Sequence, residues 1–404
     1  MKLPSGINLN PHPSGRHFLQ IPGPTNVPDR ILRAMDYATI DHRGPAFAEL
    51  GHAVLGGIRK IFKTSGPVII YPASGTGAWE AALVNTLSAS DRVLMFETGH
   101  FASLWNKLAQ RLGLRPEFLA GDWRHGVDAA QIRDALKADT AHEIRAVCVV
   151  HNETSTGVVE HRRGARGDRS AAHPALLMVD TISGLGSIDY RHEAWGVDVT
   201  VAGSQKGLML PPGLSFNAIS EKALAAAKTA GLPRAYWAWD DILAANEKGF
   251  WHSTPATNLL YGLAEAIDML LDEGLDNVFA RHDRHAEATR RAVRAWGLEV
   301  LCLDDAQASS ALTAVLTPEK EGGGHHDADA LRALILKHFN MSLGTGLGRL
   351  AGKVFRIGHL GDFNDLTLVG ALGGVEMGLT LADIPHQAGG TQAATDYLAA
   401  TLMD

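Results

Sequence analysis

The chain has 404 residues, 46% of them hydrophobic and 20% charged, with 37 Lys and Arg against 44 Asp and Glu for a formal charge of −7. That balance excludes a disordered or fibrous chain and supplies no clustered positive field of the kind a phosphate backbone requires, so nucleic acid is not an expected partner. The length exceeds what one hydrophobic core normally serves, about 250–300 residues, and calls for two or three core-forming units, as in a multi-domain enzyme acting on small molecules.

Residues 1–18 are polar and proline-rich where a secretory signal needs a continuous apolar run. No uncharged apolar stretch approaches the roughly 18–20 residues that span a bilayer, and the last three residues are not a peroxisomal address, so the expectation is a cytoplasmic protein without a membrane segment.

Apolar runs at 68–71, 92–96, 115–119, 146–150, 176–179, 197–202 and 214–219 then predict seven strands. Several are continuously apolar, the mark of strands covered on both faces of a mostly parallel sheet. Helical patterns at 78–87, 101–112 and 129–136 fall between the earlier runs, which is the α/β order. Residues 161–170 hold four arginines and two glycines and read as a solvated loop on the helical side of the sheet. An amphipathic helix at 259–273 and a strongly charged one at 277–296 bridge into a smaller α+β unit, with strands within 300–315 and at 353–357 and helices at 328–339 and 362–379. The cluster from Arg281 to His285 reads as an exposed helix face. His325 and His326, in a glycine-rich stretch, read as a surface turn rather than a metal site. The expected organisation is an N-terminal arm (1–25), a large domain (26–279) and a small C-terminal domain (280–404).

Three pieces carry chemistry. Ser74-Gly75-Thr76-Gly77 follows the first run and opens a helix. Small residues there bare backbone N–H groups to an anion and the Thr76 hydroxyl adds a donor, although a plain tight turn has the same composition. The stretch is neither a Walker motif nor a GxGxxG fingerprint, which argues against a nicotinamide dehydrogenase. Asp180 closes the run at 176–179, where strand carboxyl ends form ligand crevices. A carboxylate there needs a cation or a protonated ring nitrogen, or else caps the residues after Thr181. Lys206 stands among small residues in Gly203-Ser204-Gln205-Lys206-Gly207 at another strand mouth, where a desolvated amine acts as nucleophile or base; an ordinary surface lysine is the alternative for any lysine taken alone. One cofactor uses a phosphate anchor, an acid for a pyridinium nitrogen and an amine for an aldehyde together, and that is pyridoxal 5′-phosphate.

These residues resemble the class V aminotransferases of fold type I. The likeness extends through Pro22-Gly23-Pro24-Thr25, Gly75-Thr76-Gly77-Ala78-Trp79-Glu80, His151-Asn152-Glu153-Thr154-Ser155-Thr156-Gly157, Trp195-Gly196-Val197-Asp198 and the stretch 352–361. It implies the fold type I transferase architecture, with a seven-stranded, mostly parallel sheet in the large domain. It also implies ping-pong transfer of an amino group from L-serine to glyoxylate, with alanine or aspartate as other donors. By the same resemblance Lys206 carries the cofactor and moves the substrate α-proton, and Asp180 keeps the ring nitrogen protonated. Phe101, in the loop after the run at 92–96, stacks on the ring, with core packing as its other reading. Gly75, Thr76, Gly77 and Gln205 take the phosphate, and Thr154 or Ser155 lies near the ring hydroxyl. Arg356 grips the substrate carboxylate, with Gly23 as a further substrate contact. Trp251 and Thr254 complete the phosphate site from a neighbouring subunit, so the expected assembly is a homodimer, with tetramer formation left open. His252 and Ser253 depart from the proline and tyrosine usual in relatives. A desulfurase or lyase of the same fold would need a reactive cysteine on a mobile loop. The two cysteines, Cys148 in an apolar strand and Cys302 in the small domain, both read as structural, and their spacing suggests neither a disulfide framework nor a zinc site.

Overall fold

A computed structural model describes residues 16–160 and 173–402. The arginine-rich stretch 161–170 lies outside the described residues, as do residues 1–15 of the N-terminal arm.

Strand β1 (Phe18–Gln20) is followed by helices Asp29–Met35 and Pro45–Phe62. Then come β2 (Val68–Tyr71), β3 (Arg92–Phe96), β4 (Arg115–Leu119), β5 (Ile144–Val150), the short pair β6 (Asn152–Glu153) and β7 (Val158–Val159), β8 (Leu176–Asp180), β9 (Val199–Gly203) and β10 (Ser215–Ile219). Seven of these form one sheet in the order β2-β10-β9-β8-β5-β3-β4, parallel except for β10, which runs antiparallel to both neighbours. The expected mostly parallel, seven-stranded sheet is therefore present. The reason is visible in β2, whose four residues are all buried. Val68 and Ile70 pack with the helices Pro45–Phe62 and Thr257–Glu273 on one face, while Ile69 and Tyr71 pack with Gly75–Thr86 on the other. A strand covered on both sides has no polar face to alternate with its apolar one.

The smaller unit adds β11 (Glu299–Val300), β12 (Leu312–Leu316), β13 (Met341–Thr345) and β14 (Val354–Gly358), joined to β1 in the order β1-β13-β14-β12-β11. β1 pairs parallel with β13, Phe18 opposite Met341, so the chain's first described strand belongs to its last sheet. Neither β1 nor β13 was expected. Three residues are too few to show a period, and β13 mixes Ser342 and Gly344 into its apolar positions.

Two expectations need correction. The Arg281–His285 cluster is not an exposed face: His282 and His285 are fully buried on the helix Leu275–Ala295. His282 Nδ1 bonds the Val278 carbonyl at 2.7 Å and its Nε2 accepts the Gly361 N–H at 3.1 Å, while His285 Nε2 meets Asp365 at 2.9 Å. This helix lies against the small unit, and contact on that side gives its polar residues partners in place of water. Phe101 is not in a loop but is the second residue of the helix His100–Arg111. His325 is half-buried and forms an isolated β-bridge with Glu319, its Nδ1 meeting the Thr317 carbonyl, and no group of three or more metal-ligating side chains occurs among the described residues. Both cysteines are buried, and no described helix is long and apolar enough to cross a membrane.

Candidate active site

Gly75 to Gly77, Phe101, Thr154, Ser155, Asp180, Gln205 and Lys206 all stand at or just past the carboxyl ends of strands of the seven-stranded sheet, the side on which open α/β sheets hold ligands. β2 leads through Ser74 into the helix Gly75–Thr86. Ser74 is extended, φ −78° and ψ 169°, and offers no side-chain cap; its carbonyl accepts the Gly77 N–H at 2.9 Å, which leaves the Gly75 and Thr76 N–H groups for a ligand. Gly75 is buried, and a Cβ there would stand 2.3 Å from Ile182 Cδ1, so any larger residue would have to push the Ile182 side chain aside. Thr76 is exposed beside it. The side-chain oxygen of Gln205 is buried without a partner among the described residues.

Asp180 ends β8 at 3% exposure. Its Oδ2 accepts the Trp79 indole N–H at 2.8 Å and its Oδ1 accepts the Ile182 N–H at 2.7 Å. Burial pushes its carboxyl up to about 7, with these two donors pulling the other way and Glu153 adding to the rise. The carboxylate thus caps the turn after Thr181 and also lies inside the cluster. Trp79 was not singled out from sequence. The available signal was a pair of unmet needs, since a buried indole N–H requires an acceptor and a buried carboxylate requires donors.

Lys206 follows β9 in a turn closed by Met209 N–H to the Lys206 carbonyl at 2.9 Å. Its side chain is 8% exposed and its amine donates to the Pro22 carbonyl. A Cβ on Gly23, which adopts φ +96°, would stand 2.3 Å from Lys206 Cδ and 2.6 Å from Nζ, so glycine here leaves the lysine its room. Burial lowers the amine to about 7, assisted by Arg356 and opposed by Asp180. Near neutrality much of it is unprotonated, the form a nucleophile or base requires.

Arg356 comes from the other unit, on β14. Its Nε donates to the Thr345 carbonyl at 2.8 Å and its Nη1 to the Thr154 carbonyl at 2.6 Å, which leaves Nη2 for a ligand. Burial lowers its guanidinium to about 10, with Glu153 working against that. Thr154 Oγ1 donates to Ser183 Oγ at 2.7 Å and Ser155 Oγ donates to Glu153 Oε1 at 2.7 Å, so both hydroxyls are already engaged. Phe101 lies on the first turn of its helix, edge-on to His100 with ring centroids 5.6 Å apart. Trp251 and Thr254 are placed differently. The Trp251 indole N–H is taken by the Ile70 carbonyl at 2.9 Å, Thr254 is exposed, and neither bonds to the cluster among the described residues.

Residues 17–336 match the family Aminotransferase class-V. The chain is 46% identical over 396 residues to a serine–glyoxylate aminotransferase of Methylorubrum extorquens, covering 95% of this chain and 96% of that protein. It is 43% identical over 380 residues to an L-aspartate–glyoxylate aminotransferase of Paracoccus denitrificans, covering 93% and 95%. Among solved structures, the pyridoxamine–pyruvate aminotransferase from Mesorhizobium loti is similar with a TM-score of 0.89 at 28% identity, over 97% of this chain and 99% of that one.

Proposed function

This chain belongs to the class V aminotransferases, and from that premise we propose that it transfers the amino group of L-serine to glyoxylate, giving hydroxypyruvate and glycine, on a bound pyridoxal 5′-phosphate. The observation that carries the reading is the convergence of buried Asp180 and Lys206, at the ends of the adjacent strands β8 and β9, with the uncapped helix start at Gly75. The 46% identity to a serine–glyoxylate aminotransferase supports the choice of substrates.

The donor set suits this cofactor. The N–H groups of Gly75 and Thr76, the Thr76 hydroxyl and the side-chain NH2 group of Gln205 would take the phosphate, the Gly77 N–H being turned to the Ser74 carbonyl at 2.9 Å; the buried Gln205 side-chain oxygen, without a partner among the described residues, marks an amide whose bonding is incomplete without a ligand. The Asp180 carboxylate would take the ring N–H, the Phe101 ring would cover a face of the cofactor, and Thr154 or Ser155 would stand by the ring hydroxyl. When bound, pyridoxal phosphate supplies an aldehyde for the amino group and a protonated ring that accepts the electron pair left on the substrate α-carbon. Lys206 Nζ would hold the cofactor through its aldehyde and would serve as the base and acid that moves the substrate α-proton, a task matched to an amine that burial lowers to about 7. Arg356 Nη2 orients the substrate through its carboxylate, with Gly23 lining the same space. The phosphate site lies at a homodimer interface to which a second copy adds Trp251 and Thr254; the exposure of Thr76 and Thr254 in the single chain supports this.

The test is a half-reaction screen, mixing purified holoenzyme with each L-amino acid and following loss of the aldehyde absorbance. Serine is expected to react fastest. The 43% identity to an aspartate–glyoxylate aminotransferase favours aspartate as the second reading, and a far faster reaction with aspartate or alanine would replace serine as donor.

A further inference from the structure

Glu153 is 1% exposed, and among the described residues every hydrogen bond its carboxylate accepts comes from a neutral donor. Oε2 accepts the Ala102 N–H at 3.0 Å, and Oε1 accepts the Ser155 N–H at 3.0 Å and the Ser155 hydroxyl at 2.7 Å. The Phe101 N–H points at Oε1 from 3.4 Å, and Ser155 Oγ in turn accepts the His100 N–H at 2.9 Å.

The helix His100–Arg111 has no side-chain cap of its own, because its N-cap is Gly99. Glu153 and Ser155 cap it from a distant turn, and the carboxylate brings a negative charge to the positive end of the helix. Gly99 admits them: a Cβ there would stand 2.3 Å from Glu153 Cγ and 2.5 Å from Ser155 Oγ. The residues gripped from either side, Phe101 and Ser155, are the ones offered to the cofactor ring.

We propose that Glu153 is a positioning residue of this site, its carboxylate clamping the first turn of the His100–Arg111 helix to the Thr154–Ser155 turn and so fixing the Phe101 ring and the Ser155 hydroxyl for the cofactor. The same charge lies in the field of Arg356, whose guanidinium it helps to hold protonated against burial.

The proposal rests on the pyridoxal phosphate reading of the cluster, and its test separates the two. Cofactor-free wild type, Glu153→Gln and Glu153→Asp are titrated with pyridoxal 5′-phosphate, following the visible circular dichroism of the bound cofactor, and the series is repeated in a Phe101→Leu, Ser155→Ala background. Glu153→Gln, which turns an acceptor oxygen into a donor, is expected to weaken binding about tenfold or more and to diminish the dichroic band. Glu153→Asp, which keeps the charge one methylene short, falls between. In the double background the Gln change should cost less than about twofold, because its route of action is already gone. Equal losses in both backgrounds, or wild-type affinity in Glu153→Gln, would overturn the proposal. Should the Gln chain fail to fold, the Asp chain is read by the same two criteria. A wild type that binds no pyridoxal phosphate would instead bring down the functional reading on which the proposal stands.

Discussion

Trp79 and Asp180 lie 101 positions apart, yet the indole N–H of one donates to the carboxylate of the other at 2.8 Å inside the site. The bond stabilises the ionised form of a carboxyl that burial pushes to about 7. Trp79→Phe keeps an aromatic side chain, though a smaller one, and deletes the donor, so the Asp180 carboxyl rises further. The acid limb of the kcat/KM profile should move up by about one pH unit. A limb that stays in place would count against ionised Asp180 as the working form.

The amine of Lys206 has no substitute in the cluster. Lys206→Ala should still take up pyridoxal phosphate through the phosphate and ring contacts but give no turnover, checked by spectral titration and by the half-reaction with serine. Gly23→Ala acts on the same atom by crowding. A methyl 2.6 Å from Nζ, at a φ of +96° that L residues rarely adopt, displaces the lysine. A loss of kcat of about a hundredfold is the expected result, and wild-type kcat would mean that the lysine does not depend on this space.

Arg356 is held by two carbonyls, one on β13 and one on the Thr154 turn, and offers what remains of its guanidinium to the substrate. Lysine has a single ammonium point and cannot keep both anchors and the substrate contact. Arg356→Lys should therefore weaken α-amino acid binding by about 1.5–3 kcal/mol, seen as a raised KM for serine. An unchanged KM would remove Arg356 from carboxylate recognition.

Away from the site, Glu376 caps the final helix, accepting from Gly389 N–H at 2.6 Å, Thr391 N–H at 2.9 Å and the Thr391 hydroxyl at 2.6 Å. Burial raises its carboxyl, but these donors outweigh burial and bring it from 4.5 to about 2. A folded-state value below the unfolded one contributes stability that is complete above the unfolded value and is lost as pH falls toward the folded one. Glu376→Gln should therefore lower Tm at pH 7, by a few degrees at most given the group's exposure to solvent. The gap to wild type should close as pH falls from about 5 to about 2. A gap independent of pH would show that the carboxylate's charge contributes nothing.

The large sheet was legible because its strands carry their own signal: β8 opens on four consecutive apolar residues and β9 on the β-branched run Val199-Thr200-Val201, whatever lies next to them. The same reading put Asp180 and Lys206 at strand ends, and the small-residue turns before and after them marked where a ligand could approach. It failed where an element's character depends on its neighbours. His282 and His285 look like an exposed charged face until Val278, Gly361 and Asp365 are seen to bond them, and β1 and β13 show as strands only in their pairing, β1 with β13 and β13 also with β14.

Sequence by itself determined the α/β order, the family likeness and the residues able to handle an aldehyde, a phosphate and a carboxylate, because periodicity and residue type are local properties. The tertiary structure alone decided which of them meet: Trp79 with Asp180, Arg356 with the Thr154 carbonyl across 202 positions, and Glu153 with a helix start 51 positions back. Buried polar groups take whatever partner packing delivers. That partner is chosen by the geometry of the sheet and helices together, and no stretch of chain contains it.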